Sequence, residues 1–353
     1  MRIGIPRELK PLEGRVGLIP AACGELVRQG HEVFIEASAG EKSGYTDEQY
    51  RQLGVEVLDS ADAVYERAEM IVKVKEPIKA DLERLREDHL LFCYLHLAAE
   101  PELTRRLKEI GTTSVAFETV EDRHGRLPLL APMSDIAGRI SIQVGTHLLH
   151  QPEGGKGILL GGIPAAKRGR VVIMGCGMAG GNAARLAAGM GAEVVVFDKD
   201  PDRLVEARSI GPNVSGLYPH TDDVIEAVKT ADIVVGAVLV TGARAPHVIT
   251  AEAVRQMQPG SVVVDISVDQ GGCVETTRPT TYDDPTYVWE GVTHFTVTNM
   301  PGAVPRTASQ ALSAAIAPYV VEMAGGRWRE HPGLVKGLNV EDGKVVHPAV
   351  PDV

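Results

Sequence analysis

Val171-Val172-Ile173-Met174-Gly175-Cys176-Gly177-Met178-Ala179-Gly180 decides how the rest of the chain is read. An apolar, β-branched run leads into Gly-x-Gly-x-x-Gly, and Asn182, Ala183, Ala184, Leu186 and Ala187 continue as a helix former. Strand, glycine turn and helix in that order fit the phosphate-binding opening of a βαβ unit. Gly175 would permit the tight turn, Gly177 would let the backbone approach a pyrophosphate, and Gly180 would allow close helix–strand packing. The helix start, including Met178 and Ala179, would offer free N–H groups and the positive dipole end to the phosphates. A second apolar run, Val194-Val195-Val196-Phe197, ends in Asp198, about 20 residues further on. An acid there accepts both ribose hydroxyls and repels a 2′-phosphate, which favours NAD over NADP. Lys199 and Arg203 stand close enough to accommodate a phosphate.

Outward from the motif, strands are expected at 171–174, 193–197, 233–236, 261–266 and 295–297, separated by helical stretches. The chain before it alternates in the same way, with extended runs at 2–5, 32–35, 56–58, 70–75, 90–95 and 114–116. Strands alternating with helices imply βαβ units and largely parallel sheets. Two long helical segments bracket the motif-bearing region. Ile136, Ile140, Val144 and Leu148 recur over 134–150, and Ala308, Leu312, Ile316 and Val320 over 307–324. The expected fold is α/β: two Rossmann-like, doubly wound parallel-sheet domains joined by two long helices around a cleft. Residues 1–128 plus 306–353 would form one discontinuous domain, and 129–305 the nucleotide-binding one.

Composition narrows the function. The 353 residues carry a net charge of −11, with 44% hydrophobic and 24% charged residues, so disorder is a poor reading. A chain this acidic lacks the broad basic footprint of a nucleic-acid binder. Glycine is enriched, 38 of 353 residues. The apolar runs at 90–99 and 234–240 fall far short of the roughly 18 residues of a membrane span. No signal-peptide core opens the chain, and Cys23, Cys93, Cys176 and Cys273 fit neither a zinc site nor a disulfide framework. A cytoplasmic protein with reduced, buried thiols is expected.

Three positions in the first region stand at or just past strand ends, where α/β sheets place ligands. Arg15 follows the first strand, Lys75 closes Ile71-Val72-Lys73-Val74-Lys75, and His96 follows Leu90-Leu91-Phe92-Cys93-Tyr94-Leu95. An Arg and a Lys suit a carboxylate substrate. A His suits proton exchange with a hydroxyl, carbonyl or carbinolamine. Lys73 and Lys75 share a strand face, so spacing alone does not choose between them. In the second region Val262-Val263-Val264-Asp265-Ile266-Ser267-Val268-Asp269-Gln270-Gly271-Gly272 offers two acids. Asp269 stands beside paired glycines and Asp265 nearer the strand. Asn299-Met300-Pro301-Gly302 closes the last strand and could contact a nicotinamide.

Together these residues resemble the alanine dehydrogenase family, from Met1 to about Gly337. The resemblance is carried by the opening Met-Arg-Ile-Gly-Ile-Pro-Arg-Glu with Arg15, by Val72-Lys73-Val74-Lys75-Glu76-Pro77 and by Tyr94-Leu95-His96-Leu97-Ala98. Leu129-Leu130-Ala131-Pro132-Met133-Ser134, Val264-Asp265-Ile266 through Gly272, and Asn299 through Pro305 extend it. It implies reversible NAD-dependent oxidative deamination of L-alanine to pyruvate and ammonia. Arg15 and Lys75 would bind substrate, His96 would transfer protons, and Asp269 would be its acidic partner across the cleft. Ser134, Asp198, Arg203, Val238, Leu239, Ile266, Asp269, Arg278, Asn299 and Met300 would match cofactor-contacting positions, beside the glycine motif. The family is homo-oligomeric, commonly hexameric, and no membrane or nucleic-acid partner is implied. A related reading is the soluble nucleotide-binding subunit of a proton-translocating NAD(P) transhydrogenase. Two departures stand out. His220 replaces a small polar residue near the adenine side. Gly325 and Gly326 occupy a stretch where some relatives have a histidine assigned to a metal, so no metal is implied here.

Overall fold

The computed structural model describes residues 1–238 and 245–351. The chain divides into two compact units. Unit 1 comprises Met1–Met133 and the chain from Gly302 onward, and unit 2 is Ser134–Pro301.

Unit 1 opens with six short strands: β1 (Arg2–Ile5), β2 (Glu32–Glu36), β3 (Glu56–Leu58), β4 (Met70–Val72), β5 (Leu90–Cys93) and β6 (Thr113–Ala116). All pair in parallel, in the order β3-β2-β1-β4-β5-β6. Every residue of β4 and β5 is buried. That explains their unbroken apolar sequence, because a parallel strand covered on both faces has no polar side to alternate. The strand order reverses between β1 and β4, the place where a doubly wound sheet opens a crevice for ligands at its carboxyl edge.

Unit 2 repeats the plan. Its strands are β7 (Arg170–Met174), β8 (Glu193–Phe197), β9 (Val214–Leu217), β10 (Ile233–Gly236), β11 (Val262–Asp265), β12 (Thr286–Trp289) and β13 (Val292–Phe295). They lie in the order β9-β8-β7-β10-β11-β13-β12, parallel except for β12 at the edge. The switch point lies between β7 and β10. The sequence motif therefore begins at the strand that the Rossmann pattern demands. Val172, Val195, Val234 and Val263, one from each central strand, meet in one buried cluster on a single face of this sheet.

The chain ends in unit 1 with a hairpin, β14 (Leu338–Glu341) and β15 (Lys344–Val345), added antiparallel beyond β6. Its turn is Asp342-Gly343, both with positive φ (49° and 72°), as a two-residue hairpin turn requires. The sequence reading passed over this hairpin, and over β9 and β12. All are short pieces that depend on a neighbouring strand for their pairing. The extended run expected at 70–75 stops at Val72, so both lysines lie past the strand end rather than on one face of it. The strand expected at 295–297 is displaced to Val292–Phe295. The long helices run Ala131–Leu148 and Pro305–Ala324. All four cysteines are free and buried.

Candidate active site

The loop that follows β1 carries Arg15. Its side chain is 3% exposed and faces Glu13, itself buried. Nε donates to Glu13 Oε1 (2.7 Å) and Nη2 to Oε2 (2.6 Å), a bidentate fork. Nη1 lies 3.2 Å from Met133 Sδ. Burial alone would discourage the charge, but the hydrogen bonds and charge of Glu13 outweigh it and push the guanidinium pKa upward. Arg15 is thus a cation fixed in direction before any ligand arrives. The same loop walls an open pocket of about 300 Å³, with Glu8, Lys10, Glu13, Arg15 and Lys42 on its lining.

The segment after β4 separates the two lysines. Lys73 is 1% exposed. Its ammonium lies 3.5 Å from Glu8 Oε2 and 3.3 Å from Asp81 Oδ2, inside the unit. Burial opposes its charge, but the two carboxylates overcome that and raise its pKa. Lys75 is only half-buried, and among the described residues no hydrogen bond or ion pair to its Nζ forms. Lys73 is therefore structural, and Lys75 is the lysine available to a ligand. Glu8 organises the turn: Oε1 accepts the N–H groups of Val74 (2.6 Å) and Lys75 (3.3 Å).

His96 stands past the end of β5, exposed, with φ +53°. Left-handed backbone is uncommon outside glycine and clusters at functional sites. The imidazole stacks on the buried Tyr94 ring, nearly parallel (5°) at 5.8 Å. Tyr94 is itself fixed, its hydroxyl donating to the Leu129 carbonyl (2.7 Å) and its ring edge-on to Phe117. Glu118 accepts the His96 N–H at 2.6 Å.

In unit 2 the glycine motif closes the turn between β7 and the helix Met178–Gly189. Gly175 has φ +93°, and a Cβ there would meet the Ala237 carbonyl oxygen at 2.6 Å. A Cβ on Gly180 would meet the Gly175 carbonyl oxygen at 1.8 Å, so helix and strand could not approach as they do. Gly177 is different, since the nearest atom to its Cβ would be 3.8 Å away. Nothing in the unit itself demands glycine at 177; an incoming pyrophosphate would. The helix N-terminus has no side-chain cap, leaving its first N–H groups for an anion. Asp198 follows β8 and ties to this turn, accepting the Cys176 N–H (2.6 Å) and the Asp200 N–H (2.9 Å). Arg203 lies 3.7 Å from Asp198 Oδ2 and 3.6 Å from Asp200 Oδ2. These residues fit a dinucleotide whose ribose carries free hydroxyls.

Between the two acids of the β11 region the structure discriminates. Asp265 is 0% exposed and accepts the N–H groups of Ser267, Cys273 and Val274 and the Thr277 hydroxyl. Burial raises its pKa against those four donors. It shapes the loop. Asp269, exposed on the turn Ile266–Gln270, accepts the Asn299 N–H at 3.3 Å. Asn299 again has positive φ, +59°. Met300 is buried, and its carbonyl accepts the Tyr282 hydroxyl. Val238 accepts the Ser267 hydroxyl through its carbonyl. Ser134 is half-buried on the helix Ala131–Leu148, while Arg278 is exposed and covers the Tyr287 ring at 4.3 Å. Asp198, Val238, Ile266, Asp269, Asn299 and the glycine turn all stand at or beyond the carboxyl ends of unit 2's strands. Leu239 lies outside the described residues.

Comparison with known proteins adds the family. The alanine dehydrogenase/PNT N-terminal domain matches residues 4–137 and the C-terminal domain matches 141–348. The chain belongs to the alanine dehydrogenase/PNT family. Family members named alanine dehydrogenase include one from Mycolicibacterium smegmatis, 48% identical over 99% of this chain and 96% of its own. Another, from Methanococcus maripaludis, is 48% identical over 99% and 95%. A solved L-alanine dehydrogenase superposes with TM-score 0.95 at 50% identity, covering 99% of this chain and 98% of its own. A transhydrogenase from Sinorhizobium meliloti superposes with TM-score 0.86 at 25% identity, covering 99% and 100%.

Four acids escaped the sequence reading: Glu8, Glu13, Asp81 and Glu118. Each acts by facing a cation or backbone N–H groups. Glu13 is two residues from Arg15, which is a readable signal. Glu8 and Glu118 reach loops 66 and 22 residues away, which spacing cannot disclose.

Proposed function

We propose that this family member catalyses the NAD-dependent, reversible oxidative deamination of L-alanine to pyruvate and ammonia. The observation that carries the reading is the 48% identity to alanine dehydrogenases along 99% of the chain. The site geometry supports it. Unit 1 binds the amino acid: Arg15, aimed by Glu13, takes the carboxylate, and Lys75 stabilises oxygen at the reacting carbon as charge develops. His96 accepts and returns the protons exchanged as water adds and ammonia leaves. Unit 2 binds NAD: Gly175, Gly177, Met178, Ala179 and Gly180 hold the pyrophosphate and Asp198 the ribose. Ser134, Arg203, Val238, Leu239, Ile266, Arg278, Asn299 and Met300 complete the nucleotide site, and Asp269 supplies the second acid on that side. When bound, NAD supplies the hydride acceptor.

The same resemblance extends to a cytoplasmic homo-oligomer, a hexamer. Among the described residues no helix is long and apolar enough to cross a membrane. Light scattering would then give about six times the 37.7 kDa chain mass. The activity is tested by the near-ultraviolet absorbance of NADH after mixing the protein with NAD⁺ and L-alanine. Glycine, serine and 2-aminobutyrate run beside it, and NADP⁺ in parallel. An alanine-dependent signal with NAD⁺ is expected. Its absence would favour the transhydrogenase reading, because such a subunit alone has no use for an amino acid.

A further inference from the structure

β5 and β6 are parallel neighbours with Cys93 opposite Ala116. Two residues past each member of that pair come Leu95 and Glu118, so the register itself sets Glu118 beside the segment that carries His96. Its carboxylate accepts the His96 N–H at 2.6 Å through Oε1 and lies 3.3 Å from the Leu95 N–H through both oxygens. The strained element is the one being held: His96 has φ +53°, a conformation a histidine adopts only when its surroundings impose it. On its other side the ring is set by Tyr94, which Phe117, the residue before Glu118, supports edge-on. Phe117 and Glu118 belong to one turn, Phe117–Thr119. One neighbour in that turn fixes the imidazole platform and the other fixes the backbone.

We propose that Glu118 is a positioning residue for proton transfer: its carboxylate holds the Leu95–His96 backbone in the left-handed turn that aims the imidazole. Its hydrogen bonds go to backbone N–H groups, so it acts through His96 rather than on the reacting atoms. The inference rests on His96 being the proton-transfer group. What the role needs is an acceptor at Oε1. Glutamine keeps an acceptor of the same shape, alanine keeps none, and the two should differ.

The test uses the full-length protein and the variants Glu118→Ala, Glu118→Gln and His96→Ala. Glu118→Ala should lose about 10–100-fold in kcat, the usual cost of removing a group that orients a functional side chain. The KM for NAD should stay within about twofold, because the nucleotide residues lie in unit 2. Glu118→Gln should lose markedly less. Independently of activity, amide hydrogen exchange of the 94–99 segment should accelerate in Glu118→Ala while the rest of unit 1 keeps its protection. A folded Glu118→Ala with wild-type kcat, or with unchanged exchange at 94–99, would overturn the proposal. So would an equal loss in the glutamine variant with exchange intact, which would point to the charge instead. General loss of protection would reduce Glu118 to a structural residue. If alanine prevents folding, the local exchange of Glu118→Gln against wild type decides. Near-normal turnover in His96→Ala would instead sink the role of His96, while the exchange result would still judge whether Glu118 holds the turn.

Discussion

His89 and His294 show what distinguishes His96. His89 Nε2 meets the Tyr65 carbonyl (2.9 Å) while Nδ1 accepts the Arg86 N–H. His294 Nδ1 meets the Val292 carbonyl while Nε2 faces the Thr276 hydroxyl. Both rings are satisfied as neutral imidazole, and burial lowers both pKa values, with Arg86 adding to the effect at His89. A depressed folded pKa means that the unfolded chain binds protons the native state refuses, so stability is full above the unfolded value and falls as pH drops below it. Urea midpoints should therefore decline as pH falls from about 6.5, the ordinary histidine value. A flat or rising midpoint between neutral and mildly acid pH would contradict this. Glu13→Gln carries a larger penalty, because it leaves the Arg15 guanidinium buried without its counter-charge. A loss of about 3–5 kcal/mol is expected in a denaturation curve, together with a raised KM for alanine. Residue type and position beyond a strand end made Arg15, Lys75 and His96 legible in sequence. Spacing alone does not separate Lys75 from Lys73 or Asp269 from Asp265; the family resemblance does. The inward contacts of Lys73 with Glu8 and Asp81, and of Asp265 with its own loop, depend on the folded chain.

At the scale of elements, the glycine turn yields paired predictions. Gly177→Ala places a methyl group in ordinary contact with the Arg203 guanidinium, at 3.8 Å, so the melting temperature should hardly move. The KM for NAD should rise by an order of magnitude or more if a pyrophosphate lies against that backbone. Gly180→Ala drives a methyl into the Gly175 carbonyl, so stability should drop, by about 1–3 kcal/mol for an overpacked contact. A thermal melt and an NAD titration on both variants separate the two roles. Equal melting losses would remove the distinction drawn here. Gly138 belongs with Gly180: a Cβ there would meet the Ala179 carbonyl oxygen at 2.1 Å, so the long helix Ala131–Leu148 presses directly on the nucleotide helix. No motif flags Gly138. The buried apolar strands and the two long helices were legible because their sequence pattern is local. The hairpin β14–β15 and the edge strands β9 and β12 were not, since their pairing is decided by the sheet they join.

For the whole molecule, the order of the chain matters more than its length. About 350 residues suggest two domains, and the two compact units are interleaved, with Ser134–Pro301 inserted into the unit made by both termini. Each unit shows the same six-strand parallel order, yet only the inserted one has the glycine fingerprint. The other presents Arg15, Lys75 and His96 beyond equivalent strand ends, each with a glutamate that accepts a hydrogen bond from its side chain or its backbone N–H. An acidic chain of net charge −11 can still present cations locally, which is what the proposed carboxylate site requires. The most direct test of this account is the turnover of His96→Ala beside the wild type, with L-alanine and NAD⁺ saturating and NAD binding measured separately. General acid–base catalysis contributes about 10²–10⁴-fold, so turnover should fall at least a hundredfold while NAD binds as before. A variant that turns over alanine at near the wild-type rate would contradict the account at its centre.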